Sequence, residues 1–216
     1  IGRNNANTGT NAMGNMDLSG GTFNASIDQL TIGTHDEGAG SAQGTLTFGS
    51  GTVNVNNAIL GEASAGSVDG SSNPQNTVGN VVQNGGDFIV NDSMTLGLNG
   101  AVGNYTANGG TVSVGNGGGS DNLFVGRRNQ NAGGINAAVV STMDLSGASQ
   151  FTFDGNQIGV GTVSGGGGGQ TRPGGDLLLA ETNNITANSI LIADSPSVGL
   201  GGHTNLLELG TTNTIA

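Results

Sequence analysis

Leu30-Thr31-Ile32-Gly33 returns as Ala58-Ile59-Leu60-Gly61, Met94-Thr95-Leu96-Gly97, Leu123-Phe124-Val125-Gly126 and Ile158-Gly159-Val160-Gly161. A sixth copy, Ile190-Leu191-Ile192-Ala193, carries alanine in the glycine place, and Ile1-Gly2 is a truncated one. Between successive final residues the intervals are 31, 28, 36, 29, 35 and 32 residues. A recurrence of that length marks a repeat architecture, and apolar residues at every second position within each copy mark a strand.

Upstream of each copy lies a second alternating pair: Phe23/Ala25, Val53/Val55, Phe88/Val90, Val112/Val114, Phe151/Phe153 and Ile185/Ala187. A third precedes that one: Met16/Leu18, Leu46/Phe48, Val81/Gln83, Tyr105/Ala107, Met143/Leu145 and Leu178/Ala180. Each unit therefore holds three short strands. The first two are joined by glycine corners such as Gly20-Gly21-Thr22, Gly51-Thr52, Gly85-Gly86-Asp87 and Gly109-Gly110-Thr111, where positive φ carries no Cβ penalty. These corners read as constant in length. The variable segments after each anchor read as exposed loops, and they hold Pro74, Pro173, Pro196, His35, His203 and the run Gly165 to Gly169. Met16-Asp17-Leu18-Ser19-Gly20 recurs unchanged as Met143-Asp144-Leu145-Ser146-Gly147, 127 residues or four units later.

One such unit cannot bury its apolar side alone, but stacking at about 4.8 Å pairs every strand with the next copy and closes a core. The expected fold is all-β: a parallel β-helix of six to seven triangular three-strand coils, right-handed by the crossover rule. Residues 1–216 read as one solenoid segment of a longer repeat array. Ile1 falls inside a third strand and Thr214-Ile215-Ala216 inside a second, so the expected partner is a further coil, of this chain or of a second copy stacked end to end.

The anchors, the Gly-Gly-Thr corners and phrases such as Thr182-Asn183-Asn184-Ile185-Thr186-Ala187-Asn188-Ser189-Ile190 resemble bacterial autotransporter-type and sorting-signal-bearing repeat proteins of the envelope. That resemblance implies a β-helix displayed outside the cell, as an adhesive, sheath or matrix element, with surface glycans as partners.

Composition limits the chemistry. The chain has 15 acidic residues, no lysine and four arginines, for a net charge of −11. Nucleic acid is excluded as a partner because Arg127-Arg128 is the one adjacent basic pair and phosphate binding needs clustered positive charge. Without cysteine there is no disulfide or thiolate metal site, and no apolar run is long enough for a membrane helix.

Each candidate for chemistry has a plainer reading, and no catalytic, cofactor or metal residue is assigned. Asp17 and Asp144 share an outward strand position, but the equivalents between them are Thr47, Val82 and Thr106. Four coils put the carboxylates about 19 Å apart, against the roughly 5–9.5 Å of glycosidase pairs. His35-Asp36-Glu37 resembles a metal cluster in composition, yet consecutive residues seldom point at one ion, the only other histidine, His203, lies in a loop five units later, and an exposed polar loop run is the plainer reading. Asn116-Gly117-Gly118-Gly119-Ser120-Asp121-Asn122-Leu123-Phe124 approximates a calcium-roll nonapeptide in a single copy, whereas a cage needs tandem copies. Threonine ladders suited to ice, Thr31/Thr95 and Thr47/Thr106, are interrupted by Ile59, Phe124 and Val82. No phosphate loop or nucleophile elbow occurs. The chain therefore reads as a non-enzymatic structural rod, with a carbohydrate-active or carbohydrate-binding β-helix as the alternative.

Overall fold

The computed structural model describes residues 1–5, 10–36, 40–63, 76–129, 138–164, 172–194 and 204–216. Within them the chain forms β1 (Arg3–Asn4), β2 (Asn11–Thr22), β3 (Ala25–His35), β4 (Ser41–Ser50), β5 (Thr52–Ala63) and β6 (Val78–Gln83). There follow β7 (Asp87–Val90), β8 (Met94–Leu98), β9 (Val102–Ala107), β10 (Thr111–Val114), β11 (Asn122–Arg128) and β12 (Ala138–Asp144). The last are β13 (Gln150–Val163), β14 (Arg172–Leu178), β15 (Thr182–Ile192), β16 (Leu206–Glu208) and β17 (Thr212–Ile215).

All pairings are parallel and bind each strand to its counterpart in the next unit. The first strand of each unit enters a seven-stranded sheet, β2-β4-β6-β9-β12-β14-β16. The second and third share a ten-stranded sheet. They run together without a break in β3, β5, β13 and β15, and separate into β7/β8 and β10/β11 in the middle units. The molecule is a parallel β-solenoid in which three segments per turn are carried by two sheets.

Alternation places the core. Leu46, Val81, Tyr105, Met143 and Leu177 stack in one inward column of the seven-stranded sheet. Val53, Phe88, Val112 and Phe151 form the facing column of the ten-stranded sheet, and Val55, Val90, Val114 and Phe153 the column beside it. Two polar side chains enter this core as a pair. The Tyr105 hydroxyl donates to Gln83 Oε1, and Gln83 Nε2 donates to the Gly86 and Thr111 carbonyls at 2.8 and 3.1 Å. Burial pushes the Tyr105 phenol well above its usual pKa and keeps it a donor.

The anchors turn the chain. Gly2, Gly33, Gly61, Gly97, Gly126 and Gly161 all lie in the left-handed region, with φ between 63° and 72°. They face a second small-residue column, Gly14, Gly44, Gly79, Gly103, Ser141 and Gly175, that the repeat reading overlooked. The two columns interlock. A Cβ on Gly103 would stand 2.2 Å from the Leu60 carbonyl oxygen, so backbone meets backbone at this corner. Where the second column departs from glycine, the side chain takes up a backbone donor instead. Ser141 Oγ accepts from the Gly103 N–H at 3.1 Å, and Asn205 Oδ1 accepts from the Gly175 N–H at 2.8 Å.

Ala193 occupies the anchor place at φ 57°. Left-handed backbone costs an L-residue about 1–2 kcal/mol, partly offset because alanine orders less entropy on folding than glycine. Ala193→Gly is expected to stabilise the chain by roughly 0.5–1 kcal/mol, seen as a raised urea midpoint.

Several expectations are corrected. The first corner is longer than the others: Leu18 pairs with Phe48, but after a register shift Thr22 pairs with Ser50. The inward pair of that unit is accordingly Ala25/Ile27, not Phe23/Ala25, because these residues align with Val53/Val55. Leu177 and Leu179 point inward in place of Leu178/Ala180, since Met143 pairs with Leu177, although Ala180 is also buried at the corner. Asn183/Ile185 replaces Ile185/Ala187, opposite Phe151/Phe153.

Pro173 and His35 are not loop residues. Pro173 is a buried residue of β14 whose next neighbour, β16, begins only opposite Asp176, so its missing N–H breaks no ladder there. His35 ends β3 in register with Asn4 and Ala63, fully buried. Pro74, Pro196, His203, Glu37 and Gly165 to Gly169 lie outside the described residues.

Candidate functional site

Asp17 and Asp144 stand in one outward column, Asp17-Thr47-Val82-Thr106-Asp144, as the repeat spacing required. Four rungs at about 4.8 Å keep them about 19 Å apart. Each is engaged with its own turn. Asp17 Oδ1 accepts from the Ser19 hydroxyl at 2.6 Å and its N–H at 3.0 Å, and Asp144 repeats both contacts with Ser146. The Ser19 hydroxyl and then its N–H hold the Asp17 carboxyl below the ordinary range. These are turn-capping carboxylates, and nothing in their geometry sets up an acid/base pair.

The Asp121 turn is likewise filled from within. Its carboxylate is 4% exposed, and Oδ2 accepts the Asn116 and Gly118 N–H groups at 3.0 and 3.1 Å. These two amide donors make Oδ2 a clamp on the turn's backbone. Among the described residues no three His, Asp or Glu side chains gather in a group able to hold a metal.

His35 and Asp36 diverge. The imidazole is wholly buried, whereas Asp36 Oδ2 meets Arg3 Nε at 2.6 Å on the surface. Beside this ion pair, in register with Thr34, stands Glu62. Burial, and then the Asp36 charge, raise the Glu62 carboxyl above its ordinary pKa of 4.5, with Arg3 pulling the other way. A raised folded-state pKa means that the protonated form suits the fold. Stability from this group is present at low pH and lost as pH rises through the folded pKa. Glu62→Gln is expected to raise the thermal midpoint modestly at neutral pH and to match the parent well below pH 4.5, which paired melting curves would show.

The arginine pair presents no open phosphate-binding face. Arg127 lies 3.8 Å over the Phe124 ring and reaches Ser164 Oγ at 3.4 Å, and Arg128 is 2% exposed. The threonine columns Thr31-Ile59-Thr95-Phe124 and Thr47-Val82-Thr106 are interrupted in the ladder as they are in sequence.

No family model, characterised protein or solved structure matches the chain. What can be said of it comes from its own geometry: stacked columns, with no convergent chemical centre among the described residues.

One polar column went unread in the sequence. Asn183 replaces the aromatic residue inside the core, donating from Nδ2 to the Ala180 carbonyl at 2.7 Å and to Asn213 Oδ1 at 2.9 Å. Asn213 repeats the first contact on Gly210 at 2.8 Å. The signal lay in equal spacing, Ala180 to Asn183 and Gly210 to Asn213, and an apolar filter passes over it.

Proposed function

We propose that this chain is a rod segment of an extracellular or cell-surface structure, a non-enzymatic β-solenoid of the autotransporter-like kind that lengthens by adding coils. The observation that carries the reading is the uniformity of the stack: every strand pairs in parallel with its counterpart in the next unit, and apolar inward columns run from rung to rung. An architecture of that kind lengthens by repetition, each coil burying the face of the one before it. Among the described residues no helix is long and apolar enough to cross a membrane.

The alternative, a glycan-processing or glycan-binding β-helix, has less behind it. Sugar-binding faces use exposed aromatic rings, whereas Phe48, Phe88, Tyr105, Phe124, Phe151 and Phe153 are buried and Phe23 is partly buried against the core.

The net charge of −11 opposes association at low ionic strength, so added salt favours it. Sedimentation velocity of the chain across concentration and salt is expected to show longer species as both rise. Ile215→Asp, at an exposed site, is expected to suppress them without lowering the melting temperature. An assembly state independent of Ile215, salt and concentration would remove the support for end-to-end growth.

A further inference from the structure

We propose that Asn84 is a site of spontaneous covalent modification, converting to aspartate and isoaspartate through a cyclic imide, with Asn108 assisting. The chain contains four Asn-Gly pairs: Asn84-Gly85, Asn99-Gly100, Asn108-Gly109 and Asn116-Gly117. Glycine after asparagine lets the following backbone nitrogen approach the side-chain carbonyl carbon. The reaction needs that nitrogen unengaged, a donor on the carbonyl oxygen where charge develops, and access for water.

Asn84 alone among the four combines all three. It is exposed at the corner between β6 and β7, and its backbone is pinned through its N–H to the Phe48 carbonyl at 2.8 Å. Among the described residues nothing accepts from the Gly85 N–H. The Asn108 side chain, stacked one rung away, donates from Nδ2 to Asn84 Oδ1 at 2.9 Å. A donor already aimed at that oxygen stabilises the tetrahedral intermediate, as in an oxyanion hole.

The other three pairs each lack a requirement. Asn99 is 3% exposed, which shuts out water. At Asn116 the Gly117 N–H is held by the Asp154 carbonyl at 3.0 Å. Asn108 is exposed, but no donor reaches its side-chain oxygen among the described residues.

In the reaction, Gly85 nitrogen bonds to Asn84 Cγ and gives its proton to water. The Cγ–Nδ2 bond breaks as Nδ2 takes a proton back from water, ammonia leaves, and a five-membered imide remains. Water then opens either imide carbonyl, yielding aspartate or isoaspartate and one more negative charge. In the aspartate product the side-chain oxygen facing Asn108 is retained as a carboxylate oxygen.

The test is timed incubation of the folded chain in mildly alkaline buffer, followed by peptide mapping with isoaspartate detection at all four pairs. Asn84 is expected to convert first. Asn108→Ala and Asn108→Asp, which remove the donor, are expected to slow Asn84 about 2- to 10-fold, the rate equivalent of one hydrogen bond in a half-solvated site. Asn116 in the same digests serves as the internal reference, since loosening of the fold would speed every pair. Conversion of another pair ahead of Asn84, or an Asn84 rate unchanged in both Asn108 variants, would overturn the proposal.

Discussion

Gly61→Val is expected to destabilise the chain by roughly 3–5 kcal/mol, combining left-handed backbone strain with overpacking. Gly61 has φ +72°, and a Cβ there would stand 2.0 Å from the Val102 carbonyl oxygen. That oxygen belongs to the backbone of the neighbouring segment and cannot swing aside as a side chain would. A β-branched residue adds the most crowding. The change sits in the middle of the stack, where both neighbouring rungs depend on the same corner. Urea unfolding of parent and variant measures the cost. A loss below about 1 kcal/mol, the scale of an ordinary surface change, would mean that Gly61 is not held where the interlocked glycine columns place it.

Phe88→Ala follows, with an expected cost of about 3–5 kcal/mol. Phe88 is fully buried between Val53 and Val112 in its column. Its ring stacks on Phe48 with centroids 6.1 Å apart and meets Tyr105 at 5.2 Å and 57°. Removing it empties part of a core whose walls are hydrogen-bonded ladders, so little can collapse into the space. The expected loss therefore falls toward the upper end of the range. Nearest-neighbour stacking also predicts where the damage appears. Hydrogen exchange should quicken in β5, β7 and β10 and change least in β15 and β17. Uniform acceleration along the whole chain would instead indicate one cooperative unit.

Much of this architecture was legible because each anchor ends in a residue that the fold needs in a left-handed conformation. Glycine recurs there, and even the alanine substitute at Ala193 keeps the angle. The outward column from Asp17 to Asp144 was legible for a related reason: an integral number of units separates the two copies. The errors arose where alternation is ambiguous. Leu177-Leu178-Leu179 reads equally well in either parity, and only pairing with Met143 chooses between them. Asn183 points inward, which an apolar criterion cannot detect, so the pair was displaced by two residues. At Gly20-Gly21 nothing in the composition distinguishes a tight corner from one carrying extra residues.

The second glycine column was hidden for a different reason. Gly44, Gly79 and Gly103 precede apolar strand residues without forming a motif of their own, and their role appears only once the anchors of neighbouring coils are packed against them. For the candidate site, the sequence supplied the argument against paired catalysis but not the turn contacts that occupy Asp17, Asp144 and Asp121.

Cryo-electron microscopy of the native material tests the central claim most directly. The account predicts rods with parallel rungs spaced about 4.8 Å along the axis, and density continuing past the rungs that carry Met16 and Ile215 into further coils. Discrete particles whose end rungs are capped, or strands running antiparallel, would contradict it.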